Sequence, residues 1–389
     1  MKQRNKQLLV LLSFLLVTAC THEVTRNTSS IPKKLSHKFF SLKKQKPSFK
    51  NWGLENSLSN SHIHAPEAWK ITKGNSSVVV AVIDTGIDFS HPDLKANQWK
   101  DKKGNYGFDF VTKKPNPKDE HGHGTHVAGI IGATTNLKAG ISGVAPKVSL
   151  MAVRYYSPAN SGTVNLKNTV KAIDYAIEHN AQIINYSGGG PEFSEPEYLA
   201  LKRAEAKGIL VIAAAGNEKQ NTDQMENYYY PAAYRLKNII SVAAITETNN
   251  LLSSSNWGKT RVDVAAPGEN IYSTLPGSNY GKMSGTSQAT AFVTGVAALI
   301  LSQNPSLKPE QIRDIIVHSV DKSSILKEKV LSGGKVNAYA ALKSLNEKPD
   351  FKIATRTLPS PTIKKHTQNR SSAWLEEKPF KPTTSIQFQ

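Results

Sequence analysis

The sequence predicts an α/β fold, a doubly wound, mostly parallel sheet with helices on both faces. Three observations carry this. Short continuous apolar runs recur through the middle of the chain, helix-period segments lie between several of them, and the residue clusters suited to chemistry stand where those runs end. A strand buried on both faces reads as an unbroken apolar run, without alternation. Strand, helix, strand with short links is the order that winds a parallel sheet.

The first run is Val78 to Ile83. Others follow at Val148–Val153, Ile183–Tyr186, Ile209–Ala214, Ile239–Ala244 and Val262–Ala266. Between the second and third, Leu166, Val170, Ile173 and Ile177 fall on one helical face. Between the third and fourth, Tyr198, Leu201 and Ala204 repeat the spacing, and Gly208 stands where that helix stops. A further helix is expected from Gln288 to Gln303, ended by Asn304-Pro305, and another from Pro309 to about Ser319. There are no internal repeats.

The 389-residue chain carries a net charge of +19, most of it in residues 1–50 and in the tail after Leu345. Met1 to Lys6 is basic, and Leu8 to Val17 is apolar apart from Ser13. That is the layout of an export signal, too short to stay in a bilayer as a spanning helix. Leu16-Val17-Thr18-Ala19-Cys20 resembles the bacterial lipobox, which implies lipidation of Cys20, the only cysteine. A single cysteine in an exported chain has no disulfide partner. The expected organisation is a lipoprotein signal peptide over 1–20, a basic polar tether over 21–60, one domain over 61–344 and a basic, disordered tail over 345–389. These features imply an exported protein, lipid-anchored in the cell envelope. Thr21 after Cys20 favours the outer membrane where the organism has one.

The basic flanks suit an anionic membrane surface or cell wall. Nucleic acid is not an expected partner, because the flanks are exported and carry no recognisable binding motif. Oligomeric state leaves no mark on the sequence. About 40 residues between Cys20 and the domain are too few and too polar for a second folded domain.

Serine-mediated amide hydrolysis needs a nucleophile, a base, a carboxylate to orient the base, and donors for the oxyanion. Each has a candidate. Asp84 ends the first run, in Ile83-Asp84-Thr85-Gly86, where a turn-capping role is the alternative. His123 lies in His121-Gly122-His123-Gly124-Thr125-His126-Val127-Ala128-Gly129, at the start of a helix. A zinc site on the three histidines is the rival, but their offsets do not put three nitrogens on one helical face. Ser287, in Ser284-Gly285-Thr286-Ser287, stands at a helix N-terminus, where it either caps the helix or meets a developing negative charge with the helix dipole behind it. Asn217 closes Ala213-Ala214-Ala215-Gly216-Asn217 at another strand exit, as an oxyanion donor or an ordinary turn residue.

These four segments, in this order and spacing, resemble the subtilisin-like serine proteases (subtilases) from about Ala65 to Leu342. So do His91-Pro92-Asp93-Leu94, Gly143-Val144-Ala145-Pro146, Ser255-Asn256-Trp257-Gly258 and Ala265-Ala266-Pro267-Gly268. The resemblance implies a triad of Asp84, His123 and Ser287, with Asn217 and the Ser287 N–H as oxyanion donors. It implies protein or peptide substrates and no cofactor for catalysis. Ser187, Gly188 and Gly189 match the strand that pairs with substrate, Ala214 and Gly216 the opposite side of the primary pocket, and Gly162 a position along the cleft. Gly188 replaces an apolar residue common in relatives, which implies an open pocket that tolerates large apolar side chains. Gln288 and Ala291 depart from the family's usual Met and Pro, so altered efficiency is expected. Asp93 matches a calcium-ligand position, whereas Asn136-Leu137-Lys138-Ala139-Gly140 lacks a clear ligand set, so structural calcium is compatible with the sequence and not implied by it. The reading from another class is a catalytically silent subtilase fold that binds or assembles partners in the envelope.

Overall fold

The computed structural model describes residues 50–56, 59–134 and 141–346. The signal segment with Cys20, most of the tether, residues 136–140 and nearly all of the tail lie outside the described residues. In chain order the elements are α1 (Ala65–Ala68), β1 (Val79–Asp84), β2 (Gly107–Asp109), β3 (Lys114–Pro115), α2 (His123–Gly132), β4 (Ser149–Arg154), α3 (Gly162–Glu178) and β5 (Ile183–Tyr186). Then come α4 (Glu195–Ala206), β6 (Leu210–Ala214), β7 (Ile239–Ile245), β8 (Val264–Pro267), β9 (Ile271–Leu275) and β10 (Asn279–Met283). The last are α5 (Thr286–Gln303), α6 (Pro309–His318), β11 (Asp321–Lys322), β12 (Gly334–Lys335) and α7 (Ala338–Ser344).

One sheet runs β11-β12-β8-β7-β6-β5-β1-β4-β2-β3. From β12 to β2 every neighbouring pair is parallel, and only β11 and β3, at the edges, pair antiparallel. The expected fold class is the observed one. Alternate residues of β1 enter different cores. Val80 and Val82 join the cluster that holds α2 and α5, while Ala81 and Ile83 join the one that holds α3 and α4. With both faces covered, neither set can be polar, which is why β1 reads as a continuous run.

The order switches beside β1, whose neighbours are β4 on one side and β5 on the other. Such a switch opens a crevice outside the carboxyl ends of the strands, the place where open α/β sheets bind ligands. The helix α5 runs beneath the sheet and is buried at every residue from Thr286 to Leu301. Small and apolar residues surround it, and its hydroxyls are used internally: Thr290 donates to the Thr286 carbonyl at 2.7 Å and Thr294 to Asn185 Oδ1 at 2.8 Å. A helix apolar all round belongs in a core.

Two expectations change. In α3 the stripe of Leu166, Val170 and Ile177 lies at the flank, and the buried face is Asn165, Asn168, Thr169, Ala172, Ile173 and Ala176. Its polar residues turn inward because they bond the loop after β4. Asn165 Nδ2 donates to the Ser157 carbonyl at 3.0 Å, and Asn168 Nδ2 to that of Tyr155 at 3.3 Å. The second change is at the tether, expected to run to residue 60. Trp52 and Leu54 are already buried in the main core, and Trp52 Nε1 donates to the Glu269 carbonyl at 2.9 Å. Their apolar area outweighs the polar composition around them.

Candidate active site

Asp84 is the last residue of β1 and is 4% exposed. Its Oδ1 accepts a hydrogen bond from the Thr85 N–H at 2.8 Å and from His123 Nδ1 at 2.8 Å. A carboxylate can only accept, so the His123 proton sits on Nδ1 and Nε2 keeps its lone pair. Burial opposes the charged imidazole. Against it, the charge and hydrogen bond of Asp84 and the charge of Asp119 together raise His123 above the ordinary 6.5.

Asp119, which sequence reasoning did not single out, sets where His123 begins its helix. Its carboxylate is buried and gathers the N–H groups of His121 (2.9 Å), Gly122 (2.8 Å) and Thr125 (2.9 Å), with the hydroxyls of Thr85 (2.9 Å) and Thr125 (2.6 Å). These are the unpaired donors of a helix start, and an acid there also meets the positive end of the dipole. The signal that could have found it is an Asp four residues ahead of a candidate catalytic His at a helix start. Gly124 completes the approach: a Cβ there would stand 2.2 Å from the Gly86 carbonyl oxygen. The antiparallel hairpin of β9 and β10 holds the helix from the far side, with Ser273 and Thr274 hydroxyls on the carbonyls of His126 (2.7 Å) and Thr125 (2.8 Å).

Ser287 lies in the first turn of α5, buried, with its Oγ donating to the Ser187 carbonyl at 3.2 Å. No hydrogen bond joins Ser287 to His123 among the described residues. Ile83 and Tyr186 are partners in the parallel register of β1 and β5, so Asp84 and Ser187 leave the sheet side by side. Adjacent strands are about 4.8 Å apart. The His123 arm therefore ends on one strand exit, and the Ser287 hydroxyl on its neighbour.

Asn217 follows β6, the next strand over. Its Oδ1 accepts from the Thr286 N–H at 2.9 Å and the Thr286 hydroxyl at 3.2 Å, which turns Nδ2 outward as a donor. With Thr286 committed to Asn217, the Ser287 N–H is the next first-turn amide that lacks an intrahelical acceptor. A buried polar chain supports this corner, from Thr294 to Asn185 Oδ1 (2.8 Å), from Asn185 Nδ2 to Ser187 Oγ (2.9 Å), and from Ser187 Oγ to the Ser287 carbonyl (3.4 Å).

The pocket differs from the open one expected. A Cβ on Gly188 would stand 2.0 Å from the Tyr155 hydroxyl, so the space left by this glycine is already filled. Across the cleft, Gly189 faces Tyr229 Cε1, 2.5 Å from where its Cβ would lie, and Gly216 faces Tyr229 Cδ2 at 2.8 Å by the same measure. Gly216 has φ +101°, a conformation suited to glycine. Ala214 ends β6 and is 1% exposed. Gly162 opens α3 behind its Ser161 cap, and no described contact ties it to the other site residues.

Two of the three clustered histidines are committed to other partners. His126 Nε2 lies against the carbonyls of Ile271 (2.9 Å) and Gly281 (3.2 Å), and burial, with the His123 charge, drives it down to about 3. His123 Nδ1 faces Asp84. Asp93 Oδ2 accepts from the Tyr280 hydroxyl at 2.7 Å and the Ile141 N–H at 3.1 Å. Among the described residues no three His, Cys, Asp or Glu side chains are grouped to hold an ion. Residues 135–140, beside Asp93, lie outside the described residues, and no step below involves calcium.

The sequence model described as "Subtilase family" matches residues 75–343. A thermophilic serine proteinase of Bacillus sp. (strain AK1) is 42% identical over 275 residues, covering 71% of this chain and 64% of that protein. Thermitase of Thermoactinomyces vulgaris is 41% identical over 281 residues, covering 72% of this chain and 94% of that protein. The major intracellular serine protease of Bacillus subtilis is 43% identical over 240 residues, covering 62% and 73%.

Proposed function

The chain belongs to the subtilase family, and from that premise we propose that it is a serine endopeptidase cutting proteins or peptides in the cell envelope. The observation that carries the reading is the 2.8 Å pair of Asp84 and His123, which leaves Nε2 as a base one strand away from the Ser287 hydroxyl.

In this reading substrate backbone lies along Ser187–Gly189 as an added strand. Ser287 turns from the Ser187 carbonyl toward His123, and Oγ attacks the scissile carbonyl carbon while Nε2 takes its proton. Catalytic hydrogen bonds often close only once substrate is bound. Asp84 steadies the imidazolium. The oxyanion accepts from Asn217 Nδ2 and the Ser287 N–H, with the N-terminus of α5 behind it. The C–N bond breaks, Nε2 hands its proton to the departing amine, and water enters by the reverse path to free the acyl group. No cofactor takes part.

Envelope location rests on the export-type start, the lipobox-like segment at Cys20 and the basic flanks. The silent-fold alternative draws on one feature, the Ser287 hydroxyl bonded to Ser187 and not to His123. A fluorophosphonate probe separates the two on full-length protein in detergent. Labelling that maps to Ser287 and vanishes in Ser287→Ala supports the peptidase. Well-folded protein that takes no label would transfer the argument to the binding reading.

A further inference from the structure

We infer that Tyr229 closes the primary specificity pocket, so that the enzyme accepts small side chains on the acyl side of the scissile bond and rejects large apolar ones. The inference rests on the peptidase reading and names the substrate class of that site.

The two backbone walls of the pocket are Ser187–Gly189 and Ala214–Gly216, and each ends in a glycine facing the gap. In this chain the gap is not empty. The Tyr229 ring enters it with Cε1 toward Gly189 and Cδ2 toward Gly216. These are opposite vertices of one ring, so the ring bridges the two walls instead of lining one of them. A Cβ at Gly189 would meet the Tyr230 carbonyl oxygen first (2.3 Å), and one at Gly216 would meet Asn256 Nδ2 and Glu218 Oε2 first (2.3 and 2.4 Å), with the ring next in each case. A Cβ on either would fall within 3 Å of a Tyr229 ring carbon, closer than packed atoms approach.

The ring is also held by its backbone. The Tyr230 N–H donates to the Gly190 carbonyl at 2.7 Å, and the Gly190 N–H returns a bond to the Tyr230 carbonyl at 2.9 Å. The Tyr229 carbonyl accepts from the Ala233 N–H at 2.8 Å. Tyr229 thus rides on a segment fastened to the substrate-pairing strand itself, and clearing the pocket requires its side chain to leave its packed rotamer. Burial pushes the Tyr229 hydroxyl far above its ordinary range, with the Glu218 and Glu197 carboxylates adding to it, so the ring stays neutral throughout the working pH range. A methyl or hydroxymethyl group fits in front of the ring, whereas a benzyl or isobutyl group competes with it for the same volume. Gly188 does not offset this, because the Tyr155 hydroxyl fills its empty side.

The test compares kcat/KM for tetrapeptide p-nitroanilides ending in Ala, Leu, Phe or Lys, with active sites counted by the fluorophosphonate probe. Wild type should favour Ala over Phe by about tenfold or more, and Tyr229→Gly should raise the Phe-to-Ala ratio of kcat/KM by about 10²-fold. Tyr229→Phe should keep the wild-type order, since the ring and not the hydroxyl blocks the gap. Labelled wild type that prefers Phe, Leu or Lys to Ala overturns the inference, whether or not the glycine variant folds. A Phe-to-Ala ratio unchanged in a folded Tyr229→Gly enzyme overturns it as well. Absence of both labelling and hydrolysis defeats the peptidase reading itself, and the pocket with it.

Discussion

Ser187 and Ser287 each donate a side-chain hydroxyl to the other's main-chain carbonyl, at 3.4 and 3.2 Å. The pair joins the exit of β5 to the first turn of α5, so the strand that would hold substrate and the helix that carries the nucleophile cannot shift independently. Behind it stand Asn185 and Thr294, both fully buried.

Thr294→Val tests that support. Valine keeps the shape but removes the donor to Asn185 Oδ1, leaving a buried acceptor unpaired. The expected loss is about 1–3 kcal/mol of stability in urea unfolding. A loss below a few tenths would mean that Asn185 finds another partner.

Asp84→Asn should reduce kcat about 10⁴-fold, since an amide donating to Nδ1 would fix the wrong tautomer. The pH profile adds a second readout. The base must be neutral, so wild-type kcat/KM should rise with pH through a His123 value above the ordinary 6.5. With the carboxylate gone, burial is left to favour the neutral ring, and the acidic limb should move to lower pH. A limb that stays in place would assign it to another group.

Much of this was legible in the sequence, because a strand buried on both faces has no freedom to alternate and because Asp84, Ser187 and Asn217 stand at strand exits by construction of the fold. Asp119 was not, since its role lies in five donors that converge on it only after α2 has formed. Nor was Tyr229, which meets Gly189 and Gly216 only across the folded cleft. The face of α3 was misread because Asn165 and Asn168 are buried for the sake of carbonyls in the loop that leads into it, bonds that helical spacing does not show.

Asn217→Leu removes an oxyanion donor and should cost about 10²–10³ in kcat with KM little changed, the loss established for one such donor in a related subtilisin. The same substitution leaves the Thr286 N–H without its acceptor. A parallel rise in KM would therefore point to a displaced helix start instead of a lost donor.

Asp321 anchors a clasp between the start and the end of the domain. Burial works against its charge, yet hydrogen bonds from His64 (2.9 Å), Lys335 and Asn337 (2.7 Å) hold the carboxyl well below the ordinary 3.8. Burial lowers the Lys335 ammonium in spite of its bond to Asp321. A depressed carboxyl stabilises the fold above its unfolded value and loses that contribution as pH falls through the native one. Asp321→Ala should cost about 3–5 kcal/mol at neutral pH by leaving the buried Lys335 ammonium bonded to the His62 carbonyl but without a counter-charge. Lys335→Met added to it should recover part of the loss, and urea unfolding of the three proteins decides.

Gln288 follows the nucleophile, fully buried, with neither Nε2 nor Oε1 finding a partner among the described residues. Two unpaired polar atoms in a core are a standing cost, and methionine has nearly the same length and volume without them. Gln288→Met should therefore stabilise the protein by about 1–3 kcal/mol. The same exchange puts an oxidisable thioether beside Ser287, where a sulfoxide would be polar and bulky against the reacting centre. The variant should lose peptidase activity in hydrogen peroxide much faster than wild type, whose Gln288 offers no sulfur at that position. If the variant is no more stable than wild type, Gln288 has polar partners in solution, and its amide belongs to the working structure of the site.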